Sequence, residues 1–160
     1  MAVACQPPGS AAFTRLITEF EPSLPPPHAG DTLKVDCRVS GTPPRLPAEH
    51  ELALFRIGQS ALHNIEHHAR ASSATVELTF GPDRVRLTVR DDGVGFQPPD
   101  DYEDLARTGK LGLLGMNERA LLIGGALSIV TARGSGTVIS VEAPAEADAP
   151  DDRARHGSRT

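Results

Sequence analysis

The sequence predicts an α+β fold, a two-layer sandwich with helices on one face of a mixed, mostly antiparallel sheet. One pair of consecutive segments alternates apolar and polar residues, as hairpin strands with one dry and one solvated face do, and a second hairpin with a glycine-rich turn follows later in the chain. The main elements follow in the order helix, strand, strand, loop, helix, strand, strand, which lacks the strand–helix–strand alternation of a parallel fold. A chain of 160 residues is expected to fold as one domain.

The composition narrows the class of protein. Hydrophobic residues make up 39% and charged residues 23% of the chain, as in ordinary globular proteins. A formal net charge of −5 argues against a nucleic-acid partner, which needs a basic patch. No apolar run is long enough for a membrane span and no signal peptide is visible, so we expect a cytoplasmic protein without membrane contact. Cys5 and Cys37 are then expected to be reduced thiols.

Composition also sets the expected domain limits. The ordered domain is predicted to span residues 15–144. Residues 1–14 have the character of a disordered leader, and residues 145–160, rich in Ala, Asp and Arg, that of a disordered tail.

The first half of the domain contains two predicted helices and a strand. "TRLITEFEPSL" is compatible with a short helix, and "TLKVDCRV" alternates like a strand. A longer helix is predicted from about Pro47 to about residue 70, since proline is preorganised for a first helical turn. Its apolar face would consist of Leu54, Ile57, Ala61, Leu62, Ile65 and Ala69.

Two hairpins and a second helix complete the domain. "ATVELTF" and "RVRLTVR", joined by the turn "GPD", form the first hairpin. After "DDGVGF" comes a polar loop of about fourteen residues, a length that often marks a lid or binding loop. "LGLLGMNERALLIGG" resembles a glycine-rich entry into a helix that ends at Gly124 and Gly125. "ALSIVTARGSGTVISVEAP" forms the second hairpin.

Several clusters of polar side chains are more easily explained by exposure to solvent than by metal or ligand binding. His63 and His67 have the i, i+4 spacing of metal ligands, but no third ligand is in obvious register, so a solvated helix face is favoured. Ser60 and Asn64 have the same spacing. Taken alone, this pair is also expected to face solvent and not a ligand. The arginines that alternate along one strand favour a solvated sheet face: Arg84, Arg86 and Arg90.

The glycine motifs are weak evidence one by one. In "DDGVGF", Asp91 stands at a strand end and the two glycines permit a close backbone approach. In "GLLGMNERA", Gly112 and Gly115 precede a helix whose N–H groups can bind phosphate, although no Walker sequence is present.

Taken in order, the motifs carry a specific resemblance. The helix with Asn64, the strand pair, "DDGVGF", the loop, "GLLGMNERA" and "GSGTVISVEAP" together resemble the ATP-binding domain of sensor histidine kinases, most closely the nitrate-sensor type. The resemblance runs from about Leu16 to Pro144. It implies the fold shared with gyrase, Hsp90 and mismatch-repair ATPases, with a flexible ATP lid.

The resemblance also implies roles for individual residues. Asn64 takes the position of the Mg²⁺ ligand, and an amide oxygen suits that hard cation. Asp91 takes the position that accepts a hydrogen bond from the adenine amino group. Lys110 or Arg107 in the lid could add positive charge near the γ-phosphate, although for each of them a solvated lid surface is favoured. The other nucleotide-binding positions are Gly93, Gly95, Gly112, Leu113, Gly115 and Thr137.

Three departures from the family pattern bear on activity. Ser60 replaces the carboxylate thought to act as general base, and Glu66, on a different face of the helix, is a poor substitute. Lys110 stands where the second glycine box usually opens with a glycine. The hairpin with the phospho-acceptor histidine is missing from the sequence, and His50 is a poor candidate for that role.

We therefore expect an Mg-ATP-binding kinase domain that donates the γ-phosphate to a histidine on a dimerisation domain, in cis or in trans, and acts indirectly on a response regulator. Without the hairpin, a monomer or weak dimer is expected. Two alternatives stay open: a nucleotide-binding module without turnover, and a stand-alone protein-serine kinase of the anti-sigma type.

Overall fold

The computed structural model describes residues 3–5, 33–42, 46–98 and 110–145, and it confirms the α+β fold class. The described segments contain a sheet of six strands in the spatial order β1-β2-β3-β4-β6-β5. The strands are β1 (Val3–Cys5), β2 (Lys34–Ser40), β3 (Ser73–Phe80), β4 (Arg84–Asp91), β5 (Ala126–Thr131) and β6 (Thr137–Pro144).

The strand directions make the sheet mixed, as predicted. β3 with β4, β4 with β6 and β6 with β5 pair antiparallel. β1 with β2 and β2 with β3 pair parallel. The chain leaves β2, forms a helix and returns as β3 beside it, so the fold does contain one strand–helix–strand crossover. The expectation that no strand–helix–strand unit is present was wrong, because it left out the predicted strand before the first long helix, which is β2.

Two helices accompany the sheet. α1 spans Ala48–Asn64 with Pro47 at its N-cap, close to the predicted start, and continues as a single π-helical turn over Ile65–Ala69. α2 spans Leu111–Leu122. Neither described helix combines the length and the apolarity that crossing a bilayer requires.

The core lies between the two helices and the inner face of the sheet. Alternate residues of β3 and β4 are buried, as the period-two pattern predicts, and α1 contributes the predicted apolar face. Gly124, with φ +65°, and Gly125 end α2, and the Gly125 N–H donates to the Ala120 carbonyl at 2.8 Å. The most deeply buried large side chains are Ile57, Val76, Val85, Leu87, Met116 and Val141.

The outer face of the sheet is polar. On β4, Arg84 Nη1 lies 3.1 Å from Glu142 Oε1, and Arg86 Nε lies 2.9 Å from Glu142 Oε2. Hydrogen bonds and charge from these arginines, chiefly Arg86, lower the pKa of Glu142. The arginines therefore belong to a solvated, ion-paired sheet surface, as the sequence favours.

Two differences from the sequence-based expectations concern the N-terminal segment and the second glycine motif. Val3–Cys5, inside the expected leader, forms an edge strand parallel to β2. Gly112 and Gly115 lie inside α2 and not in a loop before it. The predicted short helix, most of the lid loop and the expected tail at 145–160 lie outside the described residues, except for Ala145.

Candidate functional site

A pocket of about 330 Å³ opens where the C-terminal end of α1, the loop after β4 and the N-terminal turn of α2 meet. Six of the predicted site residues line it: Asn64, Asp91, Gly95, Gly112, Leu113 and Thr137. Ser60, Gly93 and Gly115 are not among its lining residues. Residues far apart in the sequence thus meet in one cavity.

Asp91 is the buried carboxylate of the pocket. It ends β4 opposite Thr137 of β6, and its Oδ1 accepts the Gly93 N–H at 2.8 Å. Burial raises the pKa of Asp91, while backbone hydrogen bonds from Gly93 and Thr137 oppose the rise. A buried hydrogen-bond acceptor at the base of an apolar cavity is suited to a ligand with an N–H donor.

Asp92, the next residue, has a structural role that the sequence did not reveal. Its Oδ1 accepts the N–H groups of Ser72 and Ser73 at 2.8 and 2.9 Å, and its Oδ2 accepts the Ser73 hydroxyl at 2.9 Å. These bonds, led by the Ser73 N–H, lower the pKa of Asp92. The Asp92 side chain therefore connects the end of β4 to the start of β3 by hydrogen bonds.

We expect Asp92→Asn to remove an acid-sensitive part of the stability. A carboxylate whose pKa is lowered by folding stabilises the protein above its unfolded pKa, and this contribution disappears as the pH falls through the folded pKa. Because the group is exposed, we expect a deficit of about 1 kcal/mol at pH 7 that disappears as the pH falls below the ordinary aspartate pKa of 3.8 and through the lowered folded-state pKa. Urea unfolding of both proteins across this range measures the difference, and a deficit that persists in acid would contradict it.

The glycines after Asp91 allow the loop to pack closely on its neighbours. The Val94 N–H donates to the Ala69 carbonyl at 2.8 Å, and a Cβ on Gly93 would lie 2.2 Å from that same oxygen. Gly95 has φ +60°, and its Cβ would lie 2.0 Å from the Ala132 carbonyl oxygen. The loop is thereby held against the π turn of α1 on one side and the β5–β6 turn on the other.

Two threonines connect that turn to the pocket. Thr131 Oγ1 lies 3.1 Å from Thr137 Oγ1 and 3.1 Å from the Gly136 carbonyl oxygen, and it accepts the Phe96 N–H at 3.1 Å. Thr137 is buried and lines the pocket. Thr131, which the sequence analysis did not single out, positions Thr137 and the glycine loop together.

The end of the pocket at Gly112 and Lys110 is polar. The Asn64 side chain is half-buried, and its Oδ1 lies 3.5 Å from the position that a Cβ on Gly112 would take. Within the described segments no hydrogen bond holds the Asn64 amide. The N–H groups of Leu113 and Leu114 donate to the Lys110 carbonyl, so those at the very start of α2 have no intrahelical acceptor. This end offers an amide oxygen, backbone N–H donors and the positive end of a helix dipole.

Other lining residues were not predicted because their side chains are mostly apolar and carry no motif. They are Ala61, Ile65, His68, Ala69, Val89, Phe96 and Ile139. Lys110 also lines the pocket, and its Nζ lies 4.2 Å from the centroid of the Phe96 ring. The periodicity of α1 and β4 could have indicated Ala61 and Val89 as pocket walls, since Ala61 lies three residues before Asn64 on the helix and Val89 lies two residues before Asp91 on the strand.

The comparisons with known proteins agree with this geometry. Residues 49–147 match the family described as histidine kinase-, DNA gyrase B- and HSP90-like ATPase, which is more than half of the chain. The chain belongs to this family. The match includes both ends of the pocket, from Asn64 to Thr137.

Individual relatives are sensor kinases. The chain is 36% identical over 117 residues to the histidine-protein kinase/phosphatase DegS of Brevibacillus brevis, covering 73% of this chain and 28% of that protein. It is 32% identical over 134 residues to the oxygen sensor histidine kinase NreB of Staphylococcus carnosus, covering 84% and 35%. The blue-light activated histidine kinase of Erythrobacter litoralis has the same fold, with a TM-score of 0.62 at 21% identity over 83% of this chain and 40% of that one.

These matches show that the chain is similar to one region of sensor histidine kinases. The chain spans about a third or less of the length of these two curated relatives.

Proposed function

We propose that the pocket binds Mg-ATP and that the domain donates the γ-phosphate to a phospho-acceptor histidine on a dimerisation domain, in cis or in trans. The observation that supports this most is the convergence of Asn64, Asp91, Gly112 and Thr137 on one cavity. A response regulator would receive the phosphate in a later step. Such a domain would work in the cytoplasm, where ATP is available.

The buried end of the pocket suits adenine. The Asp91 carboxylate would accept the exocyclic amino group, with Thr137 beside it. Apolar side chains of Ile65, Val89 and Ile139 would pack against the base. The tightly packed loop at Gly93 and Gly95 would hold Asp91 in place when the nucleotide enters.

The polar end suits a triphosphate with its metal ion. The amide oxygen of Asn64 accepts no hydrogen bond from a described residue. A hard divalent cation prefers such oxygen ligands. Bound Mg²⁺ would neutralise developing charge on the phosphate oxygens. The start of α2 and Lys110 would contribute N–H donors and positive charge, and Gly112 keeps the space beside Asn64 open.

One observation favours the second candidate function, nucleotide binding without turnover. Ser60 is half-buried and does not line the pocket, and Asp91 is the single carboxylate among the lining residues in the described part of the chain. Glu66 does not line the pocket either. Among the described residues, no carboxylate other than Asp91 therefore lines the pocket in which a general base would act.

The two candidates are separated by a phosphotransfer assay. The domain would be mixed with labelled ATP, Mg²⁺ and a separately purified histidine-bearing hairpin domain. We expect Ser60→Glu to raise the transfer rate at least about tenfold, since a positioned general base contributes 10²–10⁴-fold. Nucleotide affinity should stay unchanged, and Ser60→Gln, which has a similar shape without the charge, serves as control.

The outcomes differ clearly. Slow transfer by the wild type that increases in Ser60→Glu supports the kinase. Tight nucleotide binding with no transfer by the wild type or by Ser60→Glu would favour the module without turnover. Equal rates for the wild type, Ser60→Glu and Ser60→Gln would show that position 60 does not limit transfer.

A further inference from the structure

Three potential metal ligands converge at the C-terminal end of α1 and on the π turn that follows it, outside the lining of the proposed nucleotide pocket. Their donor atoms, on His63, Glu66 and His67, all lie within 4.8 Å of one another. The His63 and His67 rings lie 4.2 Å apart between centroids, tilted by 47°. The Glu66 carboxylate lies 3.8 Å from His67 Nε2. None of the three lines the pocket.

The local backbone explains this convergence. His63 and His67 are four residues apart and Glu66 is three residues after His63, so both spacings bring side chains to one side of a helix. The π turn over Ile65–Ala69 follows directly, and Glu66 and His67 lie within it. The sequence suggested two ligands and no third, and the folded helix end supplies Glu66 as the third.

We propose that His63, Glu66 and His67 bind a borderline divalent metal ion such as Zn²⁺. In tetrahedral zinc sites with bond lengths of 2.0–2.1 Å, donor atoms are separated by about 3.3 Å. The present spread of up to 4.8 Å must therefore close by about 1.5 Å. Rotation of the two exposed imidazoles can supply this movement, since they make no hydrogen bonds within the described segments.

The charge of the cluster favours a cation. The Glu66 side chain is only 20% exposed, and within the described chain its ion-pair partner is His67. A partly desolvated carboxylate beside two imidazoles gains from a bound divalent cation. Three protein ligands would leave a fourth position for water.

The donor types separate this site from the proposed Mg²⁺ position. Two imidazole nitrogens and one carboxylate oxygen suit Zn²⁺, Ni²⁺ or Cu²⁺, whereas Mg²⁺ prefers oxygen ligands in octahedral geometry. Asn64 lies between His63 and Glu66 in sequence but faces the pocket. The helix end would therefore bind two different ions on two faces, and metal binding by the histidine cluster does not depend on nucleotide.

The test is a Zn²⁺ titration of the chelator-treated full chain, without nucleotide, against a fluorescent zinc indicator at neutral pH. We expect one equivalent bound to the wild type and no displacement by millimolar Mg²⁺. His63→Ala and Glu66→Gln should each weaken binding at least about tenfold, the minimum expected when a metal ligand is lost. His68→Ala is the matched control, because it removes an exposed imidazole of the same turn from outside the cluster.

Co²⁺ absorption provides a second measurement. The wild type should show the visible bands of a nitrogen-ligated Co²⁺ ion, His68→Ala should keep them and Glu66→Gln should change them. Circular dichroism without metal checks that each variant folds. If His63→Ala does not fold, the result for Glu66→Gln decides the test. The proposal is overturned if the wild type takes up no Zn²⁺, if Mg²⁺ displaces it, or if His68→Ala weakens binding as much as His63→Ala.

Discussion

Asp91→Asn should lower the affinity for ATP by about 30- to 150-fold, a loss of about 2–3 kcal/mol in binding free energy. The expected cause is the loss of a buried hydrogen-bond acceptor. The amide of the variant can place its own N–H₂ donor against the adenine amino group, which is also a donor. The variant should still fold, because an amide oxygen can accept the Gly93 N–H that Asp91 Oδ1 accepts now. Titration with a non-hydrolysable ATP analogue at neutral pH measures the loss.

Asp92→Asn is the matched control, because it makes the same chemical change one residue away on a side chain that contacts Ser72 and Ser73 and not the pocket. Its affinity for nucleotide should stay within about twofold of the wild type. Guanine nucleotides, which carry a carbonyl where adenine has its amino group, should bind the wild type at least about 100-fold more weakly. Equal affinities of Asp91→Asn and the wild type would refute the adenine role.

Gly95→Ala should destabilise the fold by at least about 3 kcal/mol. The backbone at Gly95 has φ +60°, and an added Cβ would lie 2.0 Å from the Ala132 carbonyl oxygen, which is main chain and cannot rotate away. The loop must move, and with it Phe96, whose N–H donates to Thr131 Oγ1. Urea unfolding with and without nucleotide measures the change.

Gly115→Ala is the glycine control. Its added Cβ would lie 2.9 Å from Arg119 Nη1, the far end of a flexible side chain, and the position is helical. We expect this variant to be neutral or more stable by up to about 1 kcal/mol, because alanine favours the helix. Equal losses for Gly95→Ala and Gly115→Ala would contradict the close packing described for the glycine loop.

The sequence predicted most of the sheet because burial of one sheet face makes apolar and polar residues alternate along each strand. Val76 and Leu87 are buried as their period predicts, and the turns between strands carry the expected glycine and proline. β1 was missed because a strand of three residues, Val3–Cys5, is too short to show alternation. The π turn was missed because its hydrogen-bonding pattern leaves no distinctive residue spacing.

The candidate site was predicted unevenly. Motif order indicated Asn64 and Asp91, and both line the pocket. Gly93 and Gly115 lie outside it, since one serves loop packing and the other lies further along α2. Neither Asp92 nor Thr131 could be recognised from sequence, because their roles depend on hydrogen bonds to residues that only folding brings near.

The proposed nucleotide site depends most on Asn64 and on the pocket that Asn64 shares with Asp91. Calorimetric titration with a non-hydrolysable ATP analogue, with and without Mg²⁺, tests it in the wild type and in Asn64→Ala. We predict one binding site whose affinity rises at least about tenfold with Mg²⁺ in the wild type, equivalent to about 1.4 kcal/mol, and does not rise in Asn64→Ala. Absence of binding, or the same Mg²⁺ dependence in both proteins, would contradict the account.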